Sequence, residues 1–160
     1  MELIPLRQQP ERTAEIAALL HSEWSHLPNW ACLTQIDLRL QRRNCPSKSS
    51  FTLLACSANG PLMGTASVIE FELEDMPVRR YWLGEVFTAA DFRGRGVGSA
   101  LINACITAAQ QQKIKELWLY TPDKQLLYQR LGWQEVEQRE VNAERVSVMV
   151  RSLTHSAAID

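Results

Sequence analysis

Asp91-Phe92-Arg93-Gly94-Arg95-Gly96-Val97-Gly98-Ser99 lies between an apolar strand-like segment, Tyr81–Thr88, and an amphipathic helix-like segment over residues 96–112. Gly94, Gly96 and Gly98 let the backbone approach a ligand closely. Successive unpaired N–H groups at a helix start form an anion cradle. Arg93 and Arg95 add positive charge, and a guanidinium fork suits phosphate. The expected guest is a phosphate group. The turn is not a P-loop, because no Gly-Lys-Ser/Thr tripeptide occurs in the chain. It also departs from the dinucleotide fingerprint. Gly94 and Gly96 are followed at the sixth position by Ser99, and residues 89–92 separate the strand from Arg93.

Outward from this turn the periodicity defines the other elements. Val97, Leu101, Ile102, Cys105 and Ala109 form one helical stripe. Upstream, Phe51–Cys56 is a compact apolar run, and Ser57-Ala58-Asn59-Gly60-Pro61 is a turn. Residues 62–73 then form a long strand, with Thr65, Ser67, Ile69, Phe71 and Leu73 alternating against Ala66, Val68, Glu70 and Glu72. With Tyr81–Thr88 these make an antiparallel meander. The N-terminal part reads as a strand at 2–6, a helix over 10–27 ended by Pro28-Asn29, and a helix capped by Thr34 that runs to Arg43. A loop occupies 44–50. Downstream come a strand at 115–120, a helix opened by Thr121-Pro122-Asp123 and closed at Leu131-Gly132, and strands at 133–137 and 145–150 around a turn at 141–144. The order β-α-α-β-β-β-α-β-α-β-β predicts an α+β sandwich. Its mixed, mostly antiparallel sheet has about seven strands, with helices on both faces.

A chain of 160 residues, 46% hydrophobic and 22% charged, is expected to form a single domain over 1–160. The net charge of −1 provides no field for nucleic acid or an anionic membrane, and neither is expected as a partner. Cys32, Cys45, Cys56 and Cys105 form no CxxC pair, so no metal site is expected. There is no basic stretch at the start and no apolar run near the ~18 residues a membrane span requires. A reduced, cytoplasmic protein is the expectation.

Arg93-Gly94-Arg95-Gly96-Val97-Gly98 resembles the Arg/Gln-x-x-Gly-x-Gly/Ala acyl-CoA pyrophosphate loop of the GNAT family of N-acetyltransferases. Tyr128-Gln129-Arg130-Leu131-Gly132-Trp133 is similar to the family's Tyr-x-x-Leu-Gly-aromatic segment, and the element order is the family's own. The resemblance covers the chain from Phe51 onward and, more loosely, the N-terminal helices. The segment 117–132 resembles most the bacterial acetyltransferases related to the N-terminal acetyltransferase that modifies actin.

The resemblance implies transfer of an acetyl group from acetyl-CoA directly to a primary amine in a ternary complex. The acceptor would be a small molecule or a peptide, and a homodimer is the assembly the family often forms. It places the pyrophosphate on the backbone of Arg93, Gly94, Arg95, Gly96, Val97, Gly98 and Ser99. It places the pantetheine arm beside Val86, Phe87 and Thr88, with Thr121 a further cofactor-binding residue. In the family the strand holding Val86 bulges and splays from its neighbour, freeing a backbone N–H for the oxyanion. Tyr128 is the candidate general acid: a thiol pKa near 8.5 lies below a tyrosine pKa near 10, and donation becomes feasible once the pair is held together and dry. Glu85 is the candidate base as the only carboxylate on its strand, although alternation sets it opposite Val86 and Thr88 and Trp82 lies nearer the usual position. Glu70, Glu72 and His26 are further candidates. His21, Trp24, His26 and Trp30 would wall the acceptor side, and Arg42, Arg43, Arg79 and Arg80 are candidates for the 3′-phosphate. Two other functions fit parts of this pattern: a non-catalytic acyl-CoA-binding module, and a nucleotide-binding protein using the same turn.

Overall fold

The computed structural model describes residues 1–44, 49–57 and 60–154. Residues 45–48 of the expected loop, Cys45 among them, and Ala58 and Asn59 of the expected turn lie outside the described residues. The order is β1 (Glu2–Pro5), α1 (Thr13–Trp24), α2 (Leu33–Arg43), β2 (Phe51–Cys56), β3 (Leu62–Glu70), β4 (Tyr81–Thr88), α3 (Val97–Gln111), β5 (Glu116–Thr121), α4 (Gln125–Arg130), β6 (Gln134–Val141) and β7 (Glu144–Ser152). One mixed sheet runs β1-β2-β3-β4-β5-β7-β6, and only the β4–β5 pair is parallel.

Side-chain alternation along the strands makes two cores, one on each face. Phe51, Leu53, Ala55, Ala66, Val68 and Leu83 pack with Val97, Leu101, Ile102 and Cys105 of α3. On the other face Leu54, Cys56, Leu62 and Phe87 pack with Ile16, Leu20, Ile36 and Leu40 of α1 and α2. The sheet is thus a layer between helices, as the element order predicts.

Two irregularities position the site. In the β3–β4 ladder Thr65 faces Phe87 but Ser67 faces Gly84, so Glu85 and Val86 together oppose Ala66. Glu85 carries the bulge at φ 55. The parallel β4–β5 ladder registers at the single pair Trp82↔Trp118, and nothing in the ladder joins the strands from there toward Thr88 and Thr121.

Element boundaries differ from the sequence expectation where local geometry intervenes. The strand expected over 62–73 ends at Glu70, because Phe71 turns out of the sheet at φ 56 and takes Glu72 with it. Cys32, not Thr34, occupies the N-cap of α2. Thr121 ends β5, and its Oγ1 accepts from the backbone N–H groups of Asp123 (3.4 Å) and Lys124 (3.0 Å), so it closes the turn before α4.

The β6–β7 hairpin turns on Asn142-Ala143, with φ of 52° and 65°. A turn with both central residues left-handed favours glycine at the second. Holding alanine there costs about 1–2 kcal/mol, against which glycine loses about 0.4–1 kcal/mol of chain entropy. Ala143→Gly is therefore expected to raise unfolding stability by up to about 1 kcal/mol, read as a higher urea midpoint at unchanged slope.

Candidate active site

The glycine turn sits at the open N-terminus of α3. Gly94 and Gly96 take φ of 76° and 78°, and a Cβ on either would meet no heavy atom within 4 Å. Gly96 is the N-cap and offers no side-chain hydrogen bond, so the first amides of α3 have no side-chain cap. A side chain on Gly98 would lie 3.5 Å from the Thr88 hydroxyl, which brings the loop against the end of β4. Arg93 Nε donates to the Thr88 carbonyl at 3.1 Å, and Arg95 lies 5.7 Å from the Phe92 ring centroid. An open, positively flanked set of amides with room above it fits a pyrophosphate.

From this loop the split between β4 and β5 leads inward. Val86 packs toward α3, whereas Phe87 is buried on the α1 side and meets Trp24 edge-on at 6.3 Å. Tyr128 of α4 is 8% exposed and stacks T-shaped on Trp133 at 5.7 Å. Burial above all, then the nearby charges of Glu72 and Asp123, push its phenol up to about 12. Tyr120 on β5 is shifted upward by burial and then by the same Glu72.

Two carboxylates meet at the base of the split in contrasting surroundings. Glu85 is gripped by both guanidinium nitrogens of Arg43 at 2.5 Å, with side chains 9% (Arg43) and 4% (Glu85) exposed. Ser67 adds a hydroxyl at 3.3 Å to Glu85, and Arg43 also reaches Thr52 and Ser67. Bidentate pairing of this kind fixes the carboxylate in position. Glu72, carried off the sheet by the turn at Phe71, places its carboxyl over Gly84. A Cβ on Gly84 would lie 2.7 and 2.9 Å from its oxygens, so a side chain there would push the carboxyl from this position. Glu72 Oε2 is buried without a hydrogen-bond partner. Burial first, then the charge of Glu85, push the Glu72 carboxyl up to about 8 against the opposing pull of Arg43 and Arg39.

Glu85, Val86, Phe87 and Thr88 follow one another on β4, whose end meets the glycine loop, and Tyr128 on α4 is close enough to Glu72 for that charge to act on it. Thr121 ends β5, with its oxygen engaged by the turn. Of the other base candidates, Glu70 is paired with Arg80 at 2.9 Å, His26 is exposed, and Trp82 packs against Trp118 and Tyr120. Arg43 and Arg79 are committed to Glu85 and Glu137. Trp24 and Trp30 do cluster, at 4.9 Å, and Arg39 stacks 4.7 Å above Trp30. Sequence reasoning passed over Arg39, although its i, i+4 spacing to Arg43 on α2 puts both on one helical face.

Comparison with known proteins agrees with this architecture. The Acetyltransferase (GNAT) family pattern matches residues 11–133, and the chain belongs to that family. An uncharacterized N-acetyltransferase of Methanocaldococcus jannaschii is 46% identical over 57 residues; the match covers 33% of this chain and 25% of that protein, about a quarter of its length. An aminoglycoside 6′-N-acetyltransferase solved with coenzyme A superposes with a TM-score of 0.75 at 11% identity, over 98% of this chain and 99% of that one. A spermidine N-acetyltransferase variant from Vibrio cholerae gives 0.72 at 16% identity, over 96% and 95%. At these identities the two structures share the fold.

The Glu72 carboxyl also couples stability to pH. Its pKa lies above the unfolded value, so the folded state holds a proton that the unfolded chain has released between about pH 4.5 and 8. Stability contributed at low pH is lost as pH rises through that window. Glu72→Gln, which cannot ionise, is expected to be more stable than the native protein at pH 9, by at most about 5 kcal/mol, and to lose that advantage toward pH 4. Thermal unfolding of both proteins across pH measures it.

Proposed function

We propose that the protein transfers an acetyl group from acetyl-CoA to an amine, with Glu72 as the proton acceptor. The observation that carries this reading is the Glu72 carboxyl, whose Oε2 is buried without a partner beside β4 where that strand leaves β5, with an open glycine loop beyond the strand's other end. Acetyl-CoA supplies a thioester carbonyl activated toward nucleophiles. The backbone of Arg93, Gly94, Arg95, Gly96, Val97, Gly98 and Ser99 would hold its pyrophosphate, and Val86, Phe87 and Thr88 would border its arm. A backbone N–H freed at the Glu85 bulge would stabilise the developing oxyanion, a contribution of about 3–4 kcal/mol in other acyl-transfer sites.

In the transfer the amine nitrogen bonds to the carbonyl carbon and the carbon–sulfur bond breaks. The amine proton passes to Glu72, and the departing sulfur takes a proton from Tyr128. Both side chains then exchange with solvent. With a pKa near 8, Glu72 is basic enough to take that proton close to neutrality. Tyr128, near 12, keeps its proton until the sulfur departs. Glu85, whose oxygens are both held by Arg43, acts in this scheme as a positioning residue that fixes the bulge and lifts the pKa of Glu72.

Steady-state kinetics with an amine panel, following release of free thiol, test the assignment. Glu72→Gln is expected to lower kcat/KM by about 10²–10⁴-fold and to remove the component of its rise toward pH 8 that reports loss of the Glu72 proton. Tyr128→Phe is expected to lower kcat with little change in acetyl-CoA affinity. Native turnover in Glu72→Gln would remove Glu72 as the base.

A further inference from the structure

The carboxylates on and around the β3–β4 link are mostly occupied. Glu70 pairs with Arg80 at 2.9 Å, Asp75 with Arg139 at 2.6 Å, Glu137 with Arg79 at 2.9 Å and Glu85 with Arg43 at 2.5 Å. A polycation would have to displace these arginines to be recognised there. Among the described residues five buried side-chain atoms have no partner: the donors Arg12 Nη1, Arg39 Nε, Arg79 Nη1 and Trp118 Nε1, and one acceptor, Glu72 Oε2. Glu72 Oε2 is a buried acceptor without a donor, and Arg39 Nε is a buried donor without an acceptor.

Arg39 lies one helical turn before Arg43 on α2. Its guanidinium stacks on Trp30 and donates from one nitrogen to the Asn29 carbonyl at 2.5 Å. Among the described residues it has no carboxylate within ion-pair distance, yet it is close enough to Glu85 and Glu72 for both charges to act on it. Around it Trp30, Trp24 and Phe87 form a continuous aromatic wall, with successive centroids 4.9 and 6.3 Å apart. Trp24 and Trp30 are partly accessible. Buried polar atoms normally have partners, and a ligand can supply them.

We propose that the acceptor is a free amino acid with an apolar side chain: its carboxylate binds Arg39, its side chain lies along the Trp24–Trp30 wall, and its amine points at Glu72. One such molecule supplies the acceptor that Arg39 lacks and the donor that Glu72 lacks. The inference deepens the acetyltransferase reading and rests on it. The transfer is the one already written: the nitrogen–carbon bond forms, the carbon–sulfur bond breaks, and the amine proton goes to Glu72.

Matched acceptors test it in the native protein, with acetyl-CoA binding followed separately by calorimetry. Phenylalanine is compared with phenethylamine, leucine with isoamylamine, and spermidine is the polycation control. The expected result is a kcat/KM at least ten times higher for each amino acid than for its decarboxylated partner, with spermidine poorest. Arg39→Gln should shrink that ratio at least tenfold through KM of the amino acid, and Arg39→Lys should restore part of it. Equal use of both members of a pair, a preference for spermidine, or an unchanged ratio in Arg39→Gln would overturn the inference while leaving the acetyltransferase reading intact. Binding of acetyl-CoA without transfer to any of these amines would overturn it too. Absence of acetyl-CoA binding would bring down both.

Discussion

The ion pair between Arg43 and Glu85 is the constraint on which the site depends. It crosses from the last turn of α2 to the bulge of β4, and so ties the N-terminal helices to the sheet at the point where β4 leaves β5. Two charges buried there are tolerable because the contact is bidentate and the hydroxyls of Thr52 and Ser67 complete it. An isolated member would be left uncompensated, which in comparable buried pairs costs about 3–5 kcal/mol. The pair also holds Glu85 at a backbone angle that glutamate rarely adopts, and this keeps the extra residue in the strand.

A second consequence follows for Glu72. The arginine is spent on Glu85, so the neighbouring carboxyl has Arg43 only at a distance and the charge of Glu85 close by. Burial and like charge together raise its pKa toward neutrality. Two glutamates in one cleft thereby acquire different chemistry from their surroundings, one a fixed structural anion and one a group able to exchange a proton near neutral pH. Gly84 belongs to the same arrangement, because any side chain there would occupy the space of the Glu72 carboxyl.

Much of this was legible in the sequence. The stripe of α3, the alternation in β2 and β3 and the glycine turn follow from local periodicity, and the observed strand and helix order matches them. What local patterns do not carry is the end of β3. The alternation of Ile69, Glu70, Phe71 and Glu72 continues unbroken, yet Phe71 turns out of the sheet, and with that turn the carboxyl of Glu72 comes over β4. Alternation alone sets Glu85 on its strand but says nothing of a partner on a helix forty-two residues earlier. From the sequence Arg43 therefore reads as a candidate for the 3′-phosphate, and Glu85 as a candidate base. The unmatched pair Arg39 and Glu72 is likewise visible only once α2 and the β3–β4 link are packed together.

Everything proposed for this site requires that acetyl-CoA bind through the glycine loop. Calorimetric titration of acetyl-CoA into the native protein and into Gly96→Asp measures this. The substituted residue must hold a left-handed φ of 78° and sets a negative side chain where the pyrophosphate would lie. One saturable site in the native protein, lost in a variant that keeps its circular dichroism and cooperative melting, is the predicted result. Equal binding by both proteins, or none by the native one, would contradict it.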